Sequence, residues 1–141
     1  TLFRSDSVER GARRVVDYKS GRVDKEMCNK VADLFDASKG TKRPHIPFQL
    51  YFYALLMARK HPQTGVRFDP CIYPLRTIFT KMPEAQCIET EALARFEEDL
   101  LRLIDEIFDP ALRFEARPEG DVSPEQSVCR YCNFKRLCNK E

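Results

Sequence analysis

Residues 15–21, Val-Val-Asp-Tyr-Lys-Ser-Gly, are the most informative segment of the chain, because an apolar run carries an acid and a lysine to its end before a glycine interrupts it. Side chains alternate along a strand, so Asp17 and Lys19 share one face, while Val16 and Tyr18 share the other. The pattern predicts a strand that ends at functional side chains.

The segment before this strand predicts a β-hairpin over residues 2–10 and 13–19. Gly11-Ala12 suits its turn, because a type II′ turn favours glycine at the first central position. A turn at this place makes Asp6 the cross-strand partner of Asp17. Carboxylates directly opposite each other lie roughly 5 Å apart at Cβ and repel. The pairing therefore predicts a divalent cation, which takes oxygen ligands, between the two acids.

Two aspartates and a lysine on one face are the groups that metal-assisted phosphodiester hydrolysis requires. The carboxylates of Asp6 and Asp17 would hold Mg²⁺ or Mn²⁺, and the metal would lower the pKa of a bound water and offset the charge of the phosphate. Lys19 would orient or activate that water. The alternative is a surface hairpin whose charged side chains are merely solvated, since Asp-x-Lys is a common spacing.

Three motifs together resemble one nuclease family. Asp6 followed by residues 15–21 resembles the core of the PD-(D/E)XK nucleases, in particular the RecB/AddB-type exonuclease branch. Residues 49–53, Gln-Leu-Tyr-Phe-Tyr, are similar to the Q-x-x-x-Y helix of that branch. The cysteines of the tail are similar to its C-terminal cysteine triplet: Cys129, Cys132 and Cys138. The motifs occur in the order of the family and cover nearly the whole chain.

The resemblance implies a mixed α/β (α+β) fold with a restriction-endonuclease-like core. Its central mixed sheet would contain the catalytic hairpin and a strand near residues 71–79, flanked by three helices. The implied activity is that of a Mg²⁺-dependent deoxyribonuclease of the exonuclease type, as the nuclease part of a RecB/AddB-like exonuclease or helicase–nuclease in DNA repair and recombination. The implied metal ligands are Asp6, Asp17 and the backbone carbonyl of Tyr18; Lys19 would position the attacking water, and Gln49 and Tyr53 would support the substrate geometry.

Gln49 and Tyr53 also have a simpler interpretation. Residues four apart on a helix share one face, so the pair can be the polar edge of an otherwise buried helix.

Length and composition agree with a single nuclease domain. The chain has 141 residues, of which 43% are hydrophobic, and no stretch that predicts a membrane span or a signal peptide, so we expect a cytoplasmic protein. Its net charge of +2 is too small to predict DNA binding. That expectation depends on local basic residues: Lys42, Arg43, Arg130, Lys135 and Arg136. The start at Thr1, close to the catalytic hairpin, suggests a piece of a longer protein, which we expect to be inactive or weak alone.

Six cysteines in a cytoplasmic protein favour reduced thiols or metal ligands over disulfides. Three of them are expected to behave as small core or near-surface apolar residues: Cys28, Cys71 and Cys87. The triplet has the spacing of a shared metal site, but zinc sites and iron–sulfur clusters both require four ligands. In AddB-type nucleases the fourth cysteine lies far upstream and the cluster is [4Fe–4S]. The resemblance thus implies a cluster in the intact protein that is incomplete in this chain; the alternative is reduced thiols without metal.

The other elements follow from periodicity and from breaker residues. We predict helices over about residues 25–37, 48–60 and 91–108, a loop over 38–44, and a strand between 66 and 79 whose Pro74 indicates a sheet edge or a bulge. The last helix has an apolar stripe that predicts core: Leu93, Phe96, Leu100, Leu103, Ile104 and Ile107. A linker at 117–124 divides the chain into a partial nuclease core, 1–116, and a tail with the cysteines, 117–141.

Two other function classes remain open on the sequence. One is a catalytically inactive nuclease fold that binds DNA or a helicase partner, and the other is a metal-stabilised interaction module in which only the cysteine tail matters. The presence of Asp6, Asp17 and Lys19 counts against the first, and absorbance with metal analysis of the full-length protein would decide the second.

Overall fold

A computed structural model describes residues 3–8, 12–23, 30–62, 67–80, 86–113, 129 and 132–138, with residues 3–8 described by their backbone. Within these ranges the strands are β1 (Phe3–Val8), β2 (Ala12–Lys19) and β3 (Arg67–Pro74). The α-helices are α1 (Ala32–Phe35), α2 (His45–Lys60) and α3 (Thr90–Phe108), and 3₁₀ turns cover Ala37–Lys42 and Lys135–Cys138.

The three strands form a mixed sheet in the order β1-β2-β3. β1 is antiparallel to β2, and β3 is parallel to it. Parallel neighbours need a crossover connection, and here the connection contains α1 and α2. The mixed α/β fold with a central mixed sheet flanked by helices is therefore confirmed. Pro74 is the last residue of β3 at the sheet edge, the position predicted for a residue that lacks a backbone N–H.

Helix α2 covers the face of the sheet that carries Asp17 and Lys19. Val15 and Phe68 are buried against Met57 of α2, with Tyr53 beside them. Because side chains alternate along β2, the residues two and four positions beyond Val15 lie on this same face. The packing of α2 thus brings its polar residues close to the end of β2.

A second cluster joins the three helices around Phe96, which is fully buried. The ring of Phe96 lies 5.4 Å from that of Phe35, 5.2 Å from that of Phe48 and 5.3 Å from that of Tyr51. These tilted and edge-on arrangements are the ones that aromatic pairs prefer. The cluster fixes α2 from the side opposite the sheet.

The apolar stripe of α3 is only partly core. Phe96 is buried and Leu93 and Leu100 pack against the helical cluster, but Ile104 and Ile107 are 39% and 56% exposed. The prediction of a core role is wrong for these two residues. Helical periodicity identifies the apolar face, whereas the length of the neighbouring helices decides how much of that face is covered.

Two other boundaries differ from the prediction. Within the described residues the first helix is α-helical only at Ala32–Phe35, because Asp36 is extended and its carboxylate accepts a hydrogen bond from the Ser38 amide. This contact starts the 3₁₀ turn Ala37–Lys42, so part of the predicted loop is helical. Residues 75–79, predicted as strand, form turns after Pro74. Residues 24–29 and the predicted linker lie outside the described ranges.

Candidate active site

The register of the hairpin differs from the prediction. Phe3 is the partner of Asp17, and Asp6 is the partner of Arg14. The predicted facing of Asp6 and Asp17 is therefore wrong, by a shift of three residues. The physical reason is that Ala12 belongs to β2 and pairs with Val8 instead of occupying the turn. An odd shift places position 6 and position 17 on opposite faces of the pleat.

Asp17 and Lys19 lie together, as strand alternation predicts. The Nζ atom of Lys19 is 3.0 Å from Oδ2 of Asp17, and the Asp17 side chain is completely buried. Neither carboxylate oxygen accepts a well-directed hydrogen bond from the residues that the structure describes. Among the described residues, Lys19 is thus the one cation that offsets the buried charge of Asp17.

Lys19 also contacts α2. Its Nζ atom donates a 2.8 Å hydrogen bond to Oε1 of Gln49, and Nε2 of Gln49 donates a 2.6 Å hydrogen bond to the hydroxyl of Tyr53. Gln49 and Tyr53 are four residues apart and hence on one face of the helix. Gln49 therefore links Tyr53 to the lysine at the end of β2. The simpler interpretation, a polar edge of a buried helix, does not account for this contact.

The unsatisfied carboxylate of Asp17 suits a cation. Burying a charge is costly unless the charge is paired or bound to a metal. Among the described residues, no group of three or more histidine, cysteine or acidic side chains is placed to hold a metal ion. Mg²⁺, however, keeps several waters and binds through one or two carboxylates together with substrate phosphates. A single buried carboxylate with vacant lone pairs fits that mode.

The other face of the same strand end contains an aromatic pair that sequence reasoning missed. Tyr18 and Tyr73 are cross-strand partners whose rings lie 5.6 Å apart. Arg14 donates a 3.3 Å hydrogen bond to the Tyr73 hydroxyl. No local signal could have identified this pair, because it depends on the register between strands more than fifty residues apart in the chain.

The predicted DNA-binding residues are only partly described. Lys42 and Arg43 are exposed just before α2, the helix that carries Gln49, and Lys135 and Arg136 are exposed in the tail. Arg130 lies outside the described ranges. The placement of these side chains is compatible with a DNA backbone, and their role stays a prediction.

The isolated cysteines behave differently from one another. Cys71 is completely buried in β3, and desolvation raises the pKa of its thiol, as expected for a core residue. Cys87 is exposed, and its hydrogen bond to Glu89 raises the pKa of its thiol. Cys28 lies outside the described ranges.

The cysteine triplet lies in a tightly turned segment. The Cys132 amide donates to the Cys129 carbonyl at 3.2 Å, and the Phe134 amide donates to the Cys132 sulfur at 3.4 Å. Cys129 and Cys132 are half-buried and Cys138 is exposed. The described cysteines are all free thiols.

Comparison with known proteins identifies the family. The model of the PD-(D/E)XK nuclease superfamily matches residues 4–139, so the chain belongs to this superfamily. The mixed α/β structure is consistent with its restriction-endonuclease-like fold. Members of the superfamily are generally nucleases and typically use divalent metals. No curated protein and no solved structure matches the chain. Within the described ranges, no helix is both long and apolar enough to cross a bilayer.

Proposed function

We propose that this chain is a metal-dependent deoxyribonuclease domain of the RecB/AddB-like exonuclease type, which works with a helicase domain or subunit in DNA repair and recombination. The observation that carries the proposal is Asp17, a fully buried carboxylate without hydrogen bonds from the described residues, beside a lysine that Gln49 holds in place. Such a charge is costly for folding and valuable for binding a cation.

The proposed metal ligands are Asp17 and the backbone carbonyl of Tyr18. Asp6, a further ligand in the family resemblance, is not assigned to this metal, because the register places position 6 on the opposite face of the pleat from position 17. When bound, Mg²⁺ or Mn²⁺ supplies Lewis-acid activation of the phosphate and a water of lowered pKa.

Lys19 is the residue that we assign to the nucleophile. Its ammonium group has three donors. Asp17 and Gln49 fix the direction of the side chain, which is 26% exposed, so a remaining donor can hold the attacking water or a phosphate oxygen. Gln49 acts as a positioning residue, because its hydrogen bond to Tyr53 turns the amide oxygen toward the lysine.

We also propose a second metal site, in the C-terminal tail. We assign the triplet Cys129, Cys132 and Cys138 to a [4Fe–4S] cluster in the intact protein, supported by the spacing and by the amide hydrogen bond to the Cys132 sulfur. Visible absorbance and metal analysis of the full-length protein test this assignment. Iron with acid-labile sulfide supports the cluster, zinc indicates an interaction module, and absence of both metals contradicts the assignment.

The nuclease proposal is tested with the intact protein, by digestion of end-labelled linear DNA in Mg²⁺, in Mn²⁺ and in EDTA, with a covalently closed circle alongside. We expect metal-dependent loss of the linear substrate and survival of the circle. Lys60→Ala, at the exposed end of α2, is the control and should digest as the wild type does. A chain that binds DNA without cleaving it in either metal would be the inactive nuclease fold.

A further inference from the structure

A rigid turn begins directly beside Lys19. The amide of Leu75 donates a 2.9 Å hydrogen bond to the backbone carbonyl of Lys19, immediately after β3 ends. The Thr77 amide then donates to the Pro74 carbonyl, and the Thr80 amide to the Thr77 carbonyl, each at 3.0 Å. Each of these turns holds its first and fourth Cα atoms within about 7 Å. Residues 74–80 therefore form two consecutive turns, the first of which begins at the backbone of Lys19.

This turn presents an aromatic ring to solvent. Phe79 is 99% exposed, and Leu75 on the same turn is 45% exposed. Arg76 between them is exposed as well. A fully exposed ring contributes little to folding, because the hydrophobic effect depends on the apolar area removed from water. The ring is thus available to a ligand, and its location beside the strand end of Lys19 suggests which one.

We propose that Phe79 is a base-stacking residue that holds an unpaired nucleotide of the DNA strand entering the site of Asp17 and Lys19. This inference rests on the proposed nuclease function. Every base has a π-face on which an aromatic side chain can stack without sequence preference. Bases within a duplex already stack on both sides, so the ring selects single strands or frayed ends. Arg76 on the same turn supplies the positive charge that attracts the phosphates.

The absence of tryptophan from the chain permits a direct test. Phe79→Trp creates a single fluorescent reporter, and Phe108→Trp, at the 78% exposed end of α3, is the matched control. Both variants are titrated in EDTA with a single-stranded oligodeoxythymidylate of about 12 nucleotides, a length within common site sizes. We expect quenching of the tryptophan at position 79 and none at position 108. The same oligonucleotide with abasic residues should not quench either variant.

Affinity provides the second measurement. Phe79→Ala should weaken binding of the oligodeoxythymidylate by about tenfold, as expected for the loss of one stacked base, and Phe108→Ala should leave it unchanged. Equal quenching of both tryptophans, quenching by the abasic strand, or unchanged affinity of Phe79→Ala would overturn the proposal.

The design separates this inference from the nuclease proposal, because binding is read without cleavage. Cleavage by the wild type without quenching at position 79 refutes the stacking role alone. Quenching without cleavage in any metal refutes the nuclease function and leaves the stacking contact standing. Loss of both refutes both.

Discussion

Helix α2, which covers one face of β2, and strand β1, which pairs with one edge of β2, contribute very differently to the site. On the side of α2, the buried Asp17 forms an ion pair with Lys19, and hydrogen bonds then join Lys19 to Gln49 and Gln49 to Tyr53. On the side of β1, the register places Phe3 opposite Asp17 and leaves Asp6 three positions away. The described site is therefore built from the end of β2 and from α2. Its part of the hairpin is β2.

The α2 side also carries an energetic cost. Asp17 has lost its hydration, and the described residues return only one ion pair to it. Functional sites commonly break the rule that buried polar groups are satisfied, and the rest of the fold compensates. The helical cluster around Phe96 supplies rigid support for α2.

Among the substitutions of Asp6, Asp17, Gln49 and Tyr53, Asp17→Asn should have the largest effect on cleavage. We expect a loss of roughly a thousandfold, because the substitution removes the charge that would hold the metal. Nuclease assays in Mg²⁺ and in Mn²⁺ measure the effect.

Asp69→Asn is the matched control for this substitution. Asp69 lies on the neighbouring strand, where Arg67 satisfies both of its oxygens at 2.7 and 3.0 Å. We expect unchanged cleavage. An equally large loss for Asp69→Asn would contradict the assignment of the metal to Asp17.

Asp6→Asn is the counterpart of Asp17→Asn on the other face of the pleat, where the register places position 6. We expect a much smaller loss of cleavage than for Asp17→Asn, because a carboxylate on that face does not share the metal of Asp17. Full activity would exclude Asp6 from the site. A loss as large as that of Asp17→Asn would show that the two acids act as one unit. It would contradict the difference between the contributions of α2 and β1 to the site.

Gln49→Leu should lower the cleavage rate by about tenfold with little change in KM, because a misplaced Lys19 reduces the fraction of productive geometry. Gln49→Glu retains an acceptor for the lysine and should recover part of the rate. Steady-state kinetics of both variants check this role. Equal rates for the leucine and glutamate variants would argue against positioning through Lys19.

Tyr53→Phe should have the smallest effect, about two- to tenfold, since it removes one neutral hydrogen bond to Gln49. The cleavage rates of Tyr53→Phe and Gln49→Leu should be measured in the same series of assays and compared. A loss greater than that of Gln49→Leu would indicate that the tyrosine contacts the substrate directly.

The sequence predicted the parts of the site that depend on local periodicity. The shared face of Asp17 and Lys19 follows from strand alternation, and that of Gln49 and Tyr53 from helix geometry. That these two pairs lie close to each other was predicted from the family resemblance. The hairpin register was wrong because one residue in the turn changes every pairing, and here Ala12 belongs to the strand.

Contacts between distant segments of the chain could not be predicted from the sequence, for a related reason. The contact between Tyr18 and Tyr73 depends on the pairing of β2 with β3, which no short segment encodes. Periodicity likewise identified α3 and its apolar face, but the exposure of Ile104 and Ile107 depends on where the neighbouring helices end.

The most direct test of the account compares Lys19→Ala with wild type by single-turnover DNA cleavage and by Mn²⁺ binding on the same samples. Lys19→Arg, which keeps the positive charge beside Asp17, is included because removal of the charge can affect folding. We predict that Lys19→Ala abolishes cleavage while Mn²⁺ binding stays largely intact, and that Lys19→Arg folds but cleaves slowly. Equal digestion of DNA with and without Lys19 would contradict the catalytic assignment.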